Sequence, residues 1–210
     1  LEKIMLHEDS QETLKAREEE LRGRYEAASK AGLSLDMTRG KPAPEQLDLA
    51  DPLLALPGAG QFSDQENTDC RNYGGIDGLP AMKELFADIL GCQPAAVIVG
   101  GNSSLSMMHD AVARAVLFGV PGSDKPWGQQ GTIRFLCPAP GYDRHFEITS
   151  HLGFELVNVE MNDDGPDMDH VEALAADPAV KGIWCVPRYS NPTGITYSEE
   201  VARRLANMEA

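Results

Sequence analysis

Helical and strand-like patterns alternate along the chain from about residue 77 to residue 209, and this alternation constrains the fold more than any other feature of the sequence. Apolar residues recur at helical spacing in the longer segments, whereas the shorter apolar runs have the length of strands. The pattern predicts an α/β fold with a largely parallel sheet and helices on both faces. The predicted helices cover residues 77–91, 103–118, 142–152, 167–176 and 198–209, and the predicted strands cover 96–99, 133–137, 154–159 and 182–186.

A different kind of sequence precedes this α/β region. Residues 8–31 predict a charged amphipathic helix, with Leu14, Leu21 and Tyr25 on one face and Gly32 after its end. From residue 36 to about residue 69 the sequence shows no helical or strand periodicity and consists of short polar segments interrupted by proline and glycine. Such a stretch is typical of a linker, so we expect a domain boundary within it.

Composition excludes several classes of protein. The chain has 18 basic and 33 acidic residues, a net charge of −15, which argues against binding to nucleic acid or to anionic membranes. No apolar run approaches the roughly 18–20 residues that span a bilayer, and the charged N-terminal residues lack the apolar stretch of a signal peptide. The histidines lack metal-ligand spacing, and the cysteines form neither a zinc motif nor a disulfide framework, so we expect no metal and a reducing cytoplasm. The four cysteines are Cys70, Cys92, Cys137 and Cys185.

Three predicted strands are followed by unusual loops, at residues 100–104, 138–142 and 187–194. The carboxyl ends of parallel strands lie at one edge of a sheet, where α/β proteins bind their ligands. We therefore expect the three loops to converge on one crevice.

The first of these loops has the composition of a phosphate-binding turn. Gly100 and Gly101 let the backbone approach an anion, and Ser103 and Ser104 add hydroxyl donors to the free amides of the helix that follows. The loop matches neither the dinucleotide-binding nor the P-loop motif. A glycine turn followed by a serine N-cap explains the same residues without any ligand.

The other two loops each contain one candidate ligand-binding side chain. Tyr142 follows two prolines and a glycine, so it can stack on a planar ligand, although an aromatic residue beside a turn often only packs. Asn191 begins an Asn-Pro-Thr-Gly sequence that is typical of a β-turn, and its amide can instead donate to a ligand oxygen.

Four motifs in these regions occur in the order found in class I aminotransferases, which are pyridoxal-phosphate enzymes of fold type I. They are Asn72-Tyr73-Gly74-Gly75-Ile76-Asp77-Gly78, Gly101-Asn102-Ser103-Ser104, Pro140-Gly141-Tyr142 and Asn191-Pro192-Thr193-Gly194. The chain resembles this family over residues 36–197. The segment Thr38-Arg39-Gly40-Lys41-Pro42 is most similar to a bacterial subgroup of aspartate aminotransferases.

The resemblance implies a role for each matching residue. Asn102, Ser103 and Ser104 would hold the phosphate of pyridoxal 5'-phosphate, and Tyr142 would stack on its pyridine ring. Asn191 would hydrogen-bond the phenolic oxygen of the ring and lie beside the substrate. Tyr73 would reach the cofactor phosphate of a neighbouring subunit, and Gly40 would lie near the substrate in a segment that moves on closure.

The resemblance also implies the organisation of the whole protein. Residues 1–50 would belong to the small domain and residues 51–210 to the N-terminal half of the cofactor-binding large domain. The protein would be a cytoplasmic homodimer with shared active sites. It would transfer an amino group between an amino acid, with aspartate favoured, and a 2-oxo acid.

The sequence departs from the family at the catalytic centre. Family members form a Schiff base through a lysine well downstream of the Asn-Pro-Thr-Gly motif, but only 16 residues follow Gly194 and all seven lysines precede Asn191. We therefore assign no catalytic residue. We expect the chain to be the N-terminal half of an aminotransferase, poorly stable and inactive alone, in part because the helix predicted at 198–209 simply stops. The alternative is a truncated, non-catalytic fragment that binds pyridoxal phosphate or phosphate.

Two other functions fit the sequence less well. A hydrolase would need a nucleophile elbow, which the Gly101–Ser104 loop is not, and His109 and Asp110 are adjacent on a helix rather than on one face. The block from Glu155 to Asp177 holds eight carboxylates without Lys or Arg, but it lacks the spacing of a calcium loop and is more typical of a solvated surface.

Overall fold

The structure, a computed structural model, describes residues 9–35, 40–58 and 60–208 and divides into two compact units. The first unit is Leu1–Asn72 and the second is Tyr73–Ala210. The division therefore lies a few residues after the predicted linker of residues 36–69. Thr38 and Arg39 of the early motif lie outside the described residues. The assignment of residues 1–50 and 51–210 to a small and a large domain stays a prediction.

The first unit contains the predicted N-terminal helix, α1 (Gln11–Lys30), and a short helix, α2 (Pro44–Asp48). The Ser10 hydroxyl accepts from the Thr13 amide at 3.1 Å and so caps the start of α1. Charged pairs four residues apart run along the helix. The expected apolar face is not buried, because no residue of α1 is buried and Tyr25 is 74% exposed.

The second unit alternates helices and strands as predicted. Its helices are α3 (Pro80–Leu90), α4 (Ser104–Phe118), α5 (Asp143–His151), α6 (Met168–Ala175) and α7 (Glu199–Ala206). Its strands are β1 (Arg134–Ala139), β2 (Glu155–Asn162), β3 (Gly165–Pro166) and β4 (Val180–Ile183). In the part of the chain that the structure describes, no helix has the length and apolar character needed to cross a membrane.

The four strands form one sheet in the order β3-β2-β1-β4. The central strand β1 is parallel to both β2 and β4, and only the two-residue β3 is antiparallel to its neighbour. Leu136 lies opposite Val157 on one side and Ile183 on the other. The predicted, largely parallel sheet is therefore confirmed.

The core lies on both faces of this sheet, because successive residues of β1 point to opposite sides. Leu136 packs with Val159 of β2 and Val171 of α6, in a cluster that extends to α7. Phe135 packs on the other face with Phe154 and with Val112 of α4. The prediction of helices on both faces is confirmed.

The strand predicted at residues 96–99 is wrong. Pro94–Ala96 forms a short 3-10 helix, and the Val99 amide donates to the Asp77 carbonyl at 2.9 Å instead of joining the sheet. Val97 is buried, but Ile98 is 72% exposed. A strand requires a neighbouring strand to accept its backbone hydrogen bonds, and the described residues provide none here. The expectation that the 100–104 loop follows a strand is therefore wrong.

Candidate functional site

At the start of α4, two backbone amides have no hydrogen-bond partner among the described residues, and the first turn contains no carboxylate. The Ser103 hydroxyl caps the helix, accepting from the Ser106 amide at 3.3 Å and from the Ser106 hydroxyl at 3.0 Å. The amides of Ser104 and Leu105 precede the first residue that can bond within the helix. The segment is exposed, and the first turn contains no acidic residue. Serine capping thus leaves two amides for an anion, which the helix dipole also favours.

The two glycines before this helix differ in their surroundings. A Cβ on Gly100 would lie 2.7 Å from the end of the Met107 side chain, so this glycine allows the loop to pack against α4. A Cβ on Gly101 would meet no atom within 4 Å. Packing within this unit therefore explains Gly100 but does not require a glycine at position 101.

The loops after β1 and β4 converge as expected for neighbouring parallel strands. They enclose a small cleft, which we call the strand-end cleft. Its walls include Gly141, Tyr142 and His145 after β1, and Trp184, Ser190 and Tyr197 after β4.

A tight turn after β1 positions Tyr142. The Ala139–Pro140 peptide bond is cis, and a Cβ on Gly141 would collide with the Pro138 carbonyl oxygen and lie 2.7 Å from the Phe146 ring. Only glycine fits this approach. Tyr142 then begins α5 as its N-cap residue, with its ring perpendicular to the His145 ring at a centroid distance of 4.9 Å.

The loop after β4 closes on itself before it reaches the next helix. The Ser190 amide donates to the Ile195 carbonyl at 2.8 Å, and the Tyr197 amide donates to the Pro187 carbonyl at 2.8 Å. Ser190 is 5% exposed and lines the strand-end cleft, whereas Asn191, which follows it, is exposed. The preceding Tyr189 has a φ of 52°, a left-handed conformation that is uncommon outside glycine. This closed loop places an exposed amide next to a residue of the cleft.

Burial shifts the pKa of several groups in and around the cleft. It lowers the pKa of His145, so the imidazole is uncharged at neutral pH. It raises the pKa of Cys185 to about 11. It also raises the pKa of Tyr197, with a further contribution from Cys185, against a backbone hydrogen bond at Val186 that lowers it. These groups are therefore neutral at neutral pH, and His145 and Tyr197 contribute uncharged side chains to the cleft wall.

The structure brings together only some of the residues predicted from the sequence. Tyr142 shares the strand-end cleft with Ser190, the neighbour of Asn191. Helix α4 packs against α5, but no hydrogen bond or ring contact among the described residues joins residues 102–104 to the cleft. Tyr73 is 97% exposed, and Gly40 lies exposed in the other compact unit. The roles of these residues stay predictions.

Sequence reasoning missed several residues of the cleft wall. The sequence patterns single out none of His145, Trp184 and Tyr197 as a ligand-binding residue. One signal for His145 was available, because it lies three residues after Tyr142, and His145 and Thr149 are four residues apart on one face of α5. Trp184 and Tyr197 arrive from distant positions in the sequence, which no local spacing reveals.

The acidic block between Glu155 and Asp177 is partly neutralised by arginines from outside it. Arg204 of α7 pairs with Asp169 and Glu172. Arg134 of β1 pairs with Glu155 and Asp177. Within residues 9–35, 40–58 and 60–208, no group of three or more metal-ligating side chains is arranged to hold an ion. The block therefore forms ion pairs that connect helices and strands.

Known proteins resemble the chain along most of its length. A family model described as aspartate amino-transferase matches residues 9–210. An aspartate aminotransferase of Corynebacterium glutamicum is 50% identical over 191 residues, which are 91% of this chain and 44% of that protein. The chain thus spans less than half the length of this relative.

Solved structures show the same similarity. A crystal structure of an aspartate transaminase from Corynebacterium glutamicum matches with a TM-score of 0.86 and 47% identity, over 99% of this chain and 49% of that one. The α-aminoadipate aminotransferase of Thermus thermophilus, solved with N-(5'-phosphopyridoxyl)-L-leucine, matches with a TM-score of 0.58. It is 19% identical over 80% of this chain and 39% of that one, so it supports the fold alone.

Proposed function

This chain belongs to the aspartate aminotransferase family, and on that premise we propose that the full-length protein transfers an amino group between an amino acid and a 2-oxo acid, using pyridoxal 5'-phosphate. Because the chain spans about half the length of its relatives, the activity is proposed for the protein at full length. Aspartate is the proposed amino acid, since the 50% identical relative is an aspartate aminotransferase.

The start of α4 carries this proposal, because its chemistry fits a phosphate. The chain has a net charge of −15, and α1, α5, α6 and α7 each have a carboxylate in the first turn, whereas α3 and α4 have none and, of these two, only α4 begins with serines. Free amides at Ser104 and Leu105 and the hydroxyls of Ser103 and Ser104 suit a dianion. We propose that they hold the cofactor phosphate together with the Asn102 amide.

The mouth of the strand-end cleft carries side chains whose chemistry suits the ring of the cofactor. Tyr142 offers an aromatic face on a turn that Gly141 keeps tight, and an aromatic ring of this kind stacks on a pyridine. Asn191 supplies an amide that can donate to the ring oxygen and contact the substrate. When bound, pyridoxal phosphate serves as the electron sink of the reaction, while these residues orient it.

The remaining roles complete the proposal for the full-length protein. We propose that Tyr73, with a side chain that is 97% exposed, contacts the cofactor phosphate of a second subunit in a cytoplasmic homodimer. We propose that Gly40 lies beside the substrate. No residue of this chain is proposed as the Schiff-base lysine, because all seven lysines precede the Asn-Pro-Thr-Gly motif.

A matched pair of serine variants tests the phosphate site in the full-length protein. Ser103→Ala removes a cap and a candidate phosphate donor, so we expect weaker binding of pyridoxamine 5'-phosphate together with about 1 kcal/mol of lost stability. Ser104→Ala removes a hydroxyl that caps nothing, so we expect weaker binding at unchanged stability. Isothermal titration and urea unfolding measure the two effects. Unchanged affinity in both variants would show that the phosphate binds elsewhere.

The activity itself is tested by transfer from aspartate to 2-oxoglutarate with the full-length protein. We expect transfer, and an absorption band that borohydride reduction fixes to a lysine beyond residue 210. Cofactor binding without a covalent adduct or transfer would favour the second candidate function, a non-catalytic module that binds pyridoxal phosphate or phosphate. The observation behind that candidate is the exposed start of α4, which suits a phosphate without any chemistry. We expect residues 1–210 alone to show no transfer.

A further inference from the structure

A row of aromatic contacts runs from Tyr142 into the interior. The Tyr142 ring meets His145 edge-on at 4.9 Å, and His145 lies 5.4 Å from Trp184 with 36° between the ring planes. The Trp184 indole Nε1 donates to the Thr149 hydroxyl at 3.1 Å. His145 and Thr149 lie four residues apart on one face of α5, and Tyr142 is the N-cap residue of that helix. Trp184 therefore lies along this face and contacts it at two places.

Thr149 is the buried end of this row. Its side chain is 0% exposed, and its hydroxyl donates to the Phe146 carbonyl at 3.1 Å while accepting from the indole. Both the proton and a lone pair of the hydroxyl therefore have fixed partners. The indole has a single N–H, so this one bond sets the rotation of the Trp184 side chain.

Trp184 is also held from the side of the sheet. Its backbone amide donates to the Leu136 carbonyl at 3.0 Å, which extends the pairing of β1 with β4. Its ring lies 5.0 Å from Phe135, which in turn packs 6.1 Å from Phe154. The sheet hydrogen bond, the contact with Phe135 and the hydrogen bond to Thr149 therefore fix the indole independently of its contact with His145.

We propose that Trp184, anchored by Thr149, is a positioning residue that sets the ring plane of Tyr142 through His145. This inference rests on the proposed function, in which Tyr142 stacks on the cofactor ring. Displacement of the indole releases His145 and lets the Tyr142 ring rotate, which weakens ring binding without touching the phosphate site at the start of α4. The uncharged His145 suits this role, since it packs between two aromatic rings.

Substitution of Thr149 tests the anchor in the full-length protein, with pyridoxamine 5'-phosphate and inorganic phosphate as probes. Thr149→Val keeps the shape and removes the acceptor, so we expect pyridoxamine phosphate to bind about fivefold to tenfold more weakly while phosphate binds as before. Thr149→Ser keeps the hydroxyl and should restore the affinity. Thr132→Val is the matched control, because Thr132 is exposed and outside the row.

A spectroscopic measurement supports the same test if Thr149→Val folds poorly. The near-ultraviolet circular dichroism of the full-length protein minus that of its Trp184→Phe variant isolates the signal of Trp184, which should change when pyridoxamine phosphate binds. Trp184→Phe, which keeps a ring but loses the N–H, should show the same selective loss of affinity.

Three results overturn parts of the argument in distinguishable ways. Equal affinity of Thr149→Val, Trp184→Phe and the unsubstituted protein for pyridoxamine phosphate refutes the positioning role. A parallel loss of pyridoxamine phosphate and phosphate affinity also refutes it, because it shows general damage to the fold. Failure of the unsubstituted protein to bind pyridoxamine phosphate refutes the proposed function instead.

Discussion

Substitution of Gly182 in β4 tests the packing of the core behind the strand-end cleft. An added methyl group there would collide with Phe135, which packs against the cleft residue Trp184. A Cβ built on Gly182 lies 2.6 Å from two ring atoms of Phe135, whereas real Cβ atoms essentially never approach closer than 3.0 Å. Phe135 is 6% exposed and sits between Phe154 and Trp184 at 6.1 and 5.0 Å, so its ring cannot retreat freely. Gly182→Ala must therefore displace the Phe135 ring, which contacts both Phe154 and the Trp184 indole.

The expected magnitude follows from two opposing effects. Overpacking a close-packed core costs about 1–3 kcal/mol, whereas replacing glycine reduces the entropy of the unfolded chain and returns about 0.4–1 kcal/mol. Gly74→Ala is the matched control, because its Cβ meets no atom within 4 Å and it should show the entropic gain alone. We therefore expect Gly182→Ala to be less stable than Gly74→Ala by about 2 kcal/mol.

Urea unfolding of the two full-length variants, followed by far-ultraviolet circular dichroism, measures this difference. Titration with pyridoxamine 5'-phosphate should in addition show weaker binding by Gly182→Ala, because the displaced Phe135 ring contacts the Trp184 indole. A Gly182→Ala protein as stable as Gly74→Ala would contradict the packing described for Phe135 and Trp184.

Three further predictions concern groups outside the cleft. Asp167→Ala removes the carboxylate that accepts from two amides at the start of α6, so urea unfolding should show a loss of about 1 kcal/mol, which Asp167→Ser should largely recover. Arg204 holds the pKa of Glu172 below its ordinary value of 4.5, so the stability from this pair is present above that pH and is lost as the pH falls through the folded-state pKa. Arg204→Met should raise the pKa of Glu172 in an NMR titration, and an unchanged pKa would exclude the pairing. Burial raises the pKa of Cys137 and Cys185 to about 11, so both thiols should react with a disulfide reagent at pH 8 only after unfolding.

The sequence predicted the elements whose signals are local. The helix periodicities and the apolar strand runs placed α3 to α7 and β1, β2 and β4 within a few residues of their observed bounds. The glycine after α3 and the serines before α4 and α7 are signals of helix ends that can be read from a single sequence. These signals depend only on residues close together in the sequence, so they can be read without knowledge of the rest of the fold.

Features that depend on distant partners could not be predicted in this way. Residues 96–99 have the composition of a strand, but pairing requires a neighbouring strand, which the described chain lacks there. The two-residue strand β3 is too short to leave a pattern. The hydrogen bond between Trp184 and Thr149 joins residues 35 positions apart, and no pattern in the sequence around either residue predicts it.

The candidate site divides along the same line. The serines, Tyr142 and Asn191 could be chosen because short motifs carry them, and the structure shows the loops of the last two meeting at one cleft. The relation of Tyr73 and Gly40 to a bound ligand depends on other parts of the protein, so spacing within one chain does not reveal it.

A crystal structure of the full-length protein with pyridoxal 5'-phosphate tests the central claim most directly. We expect the phosphate at the first turn of α4, in contact with Ser103 and Ser104, and the pyridine ring against the face of Tyr142 with Asn191 beside its ring oxygen. A cofactor bound with its phosphate away from α4, or with its ring away from Tyr142, would contradict the account.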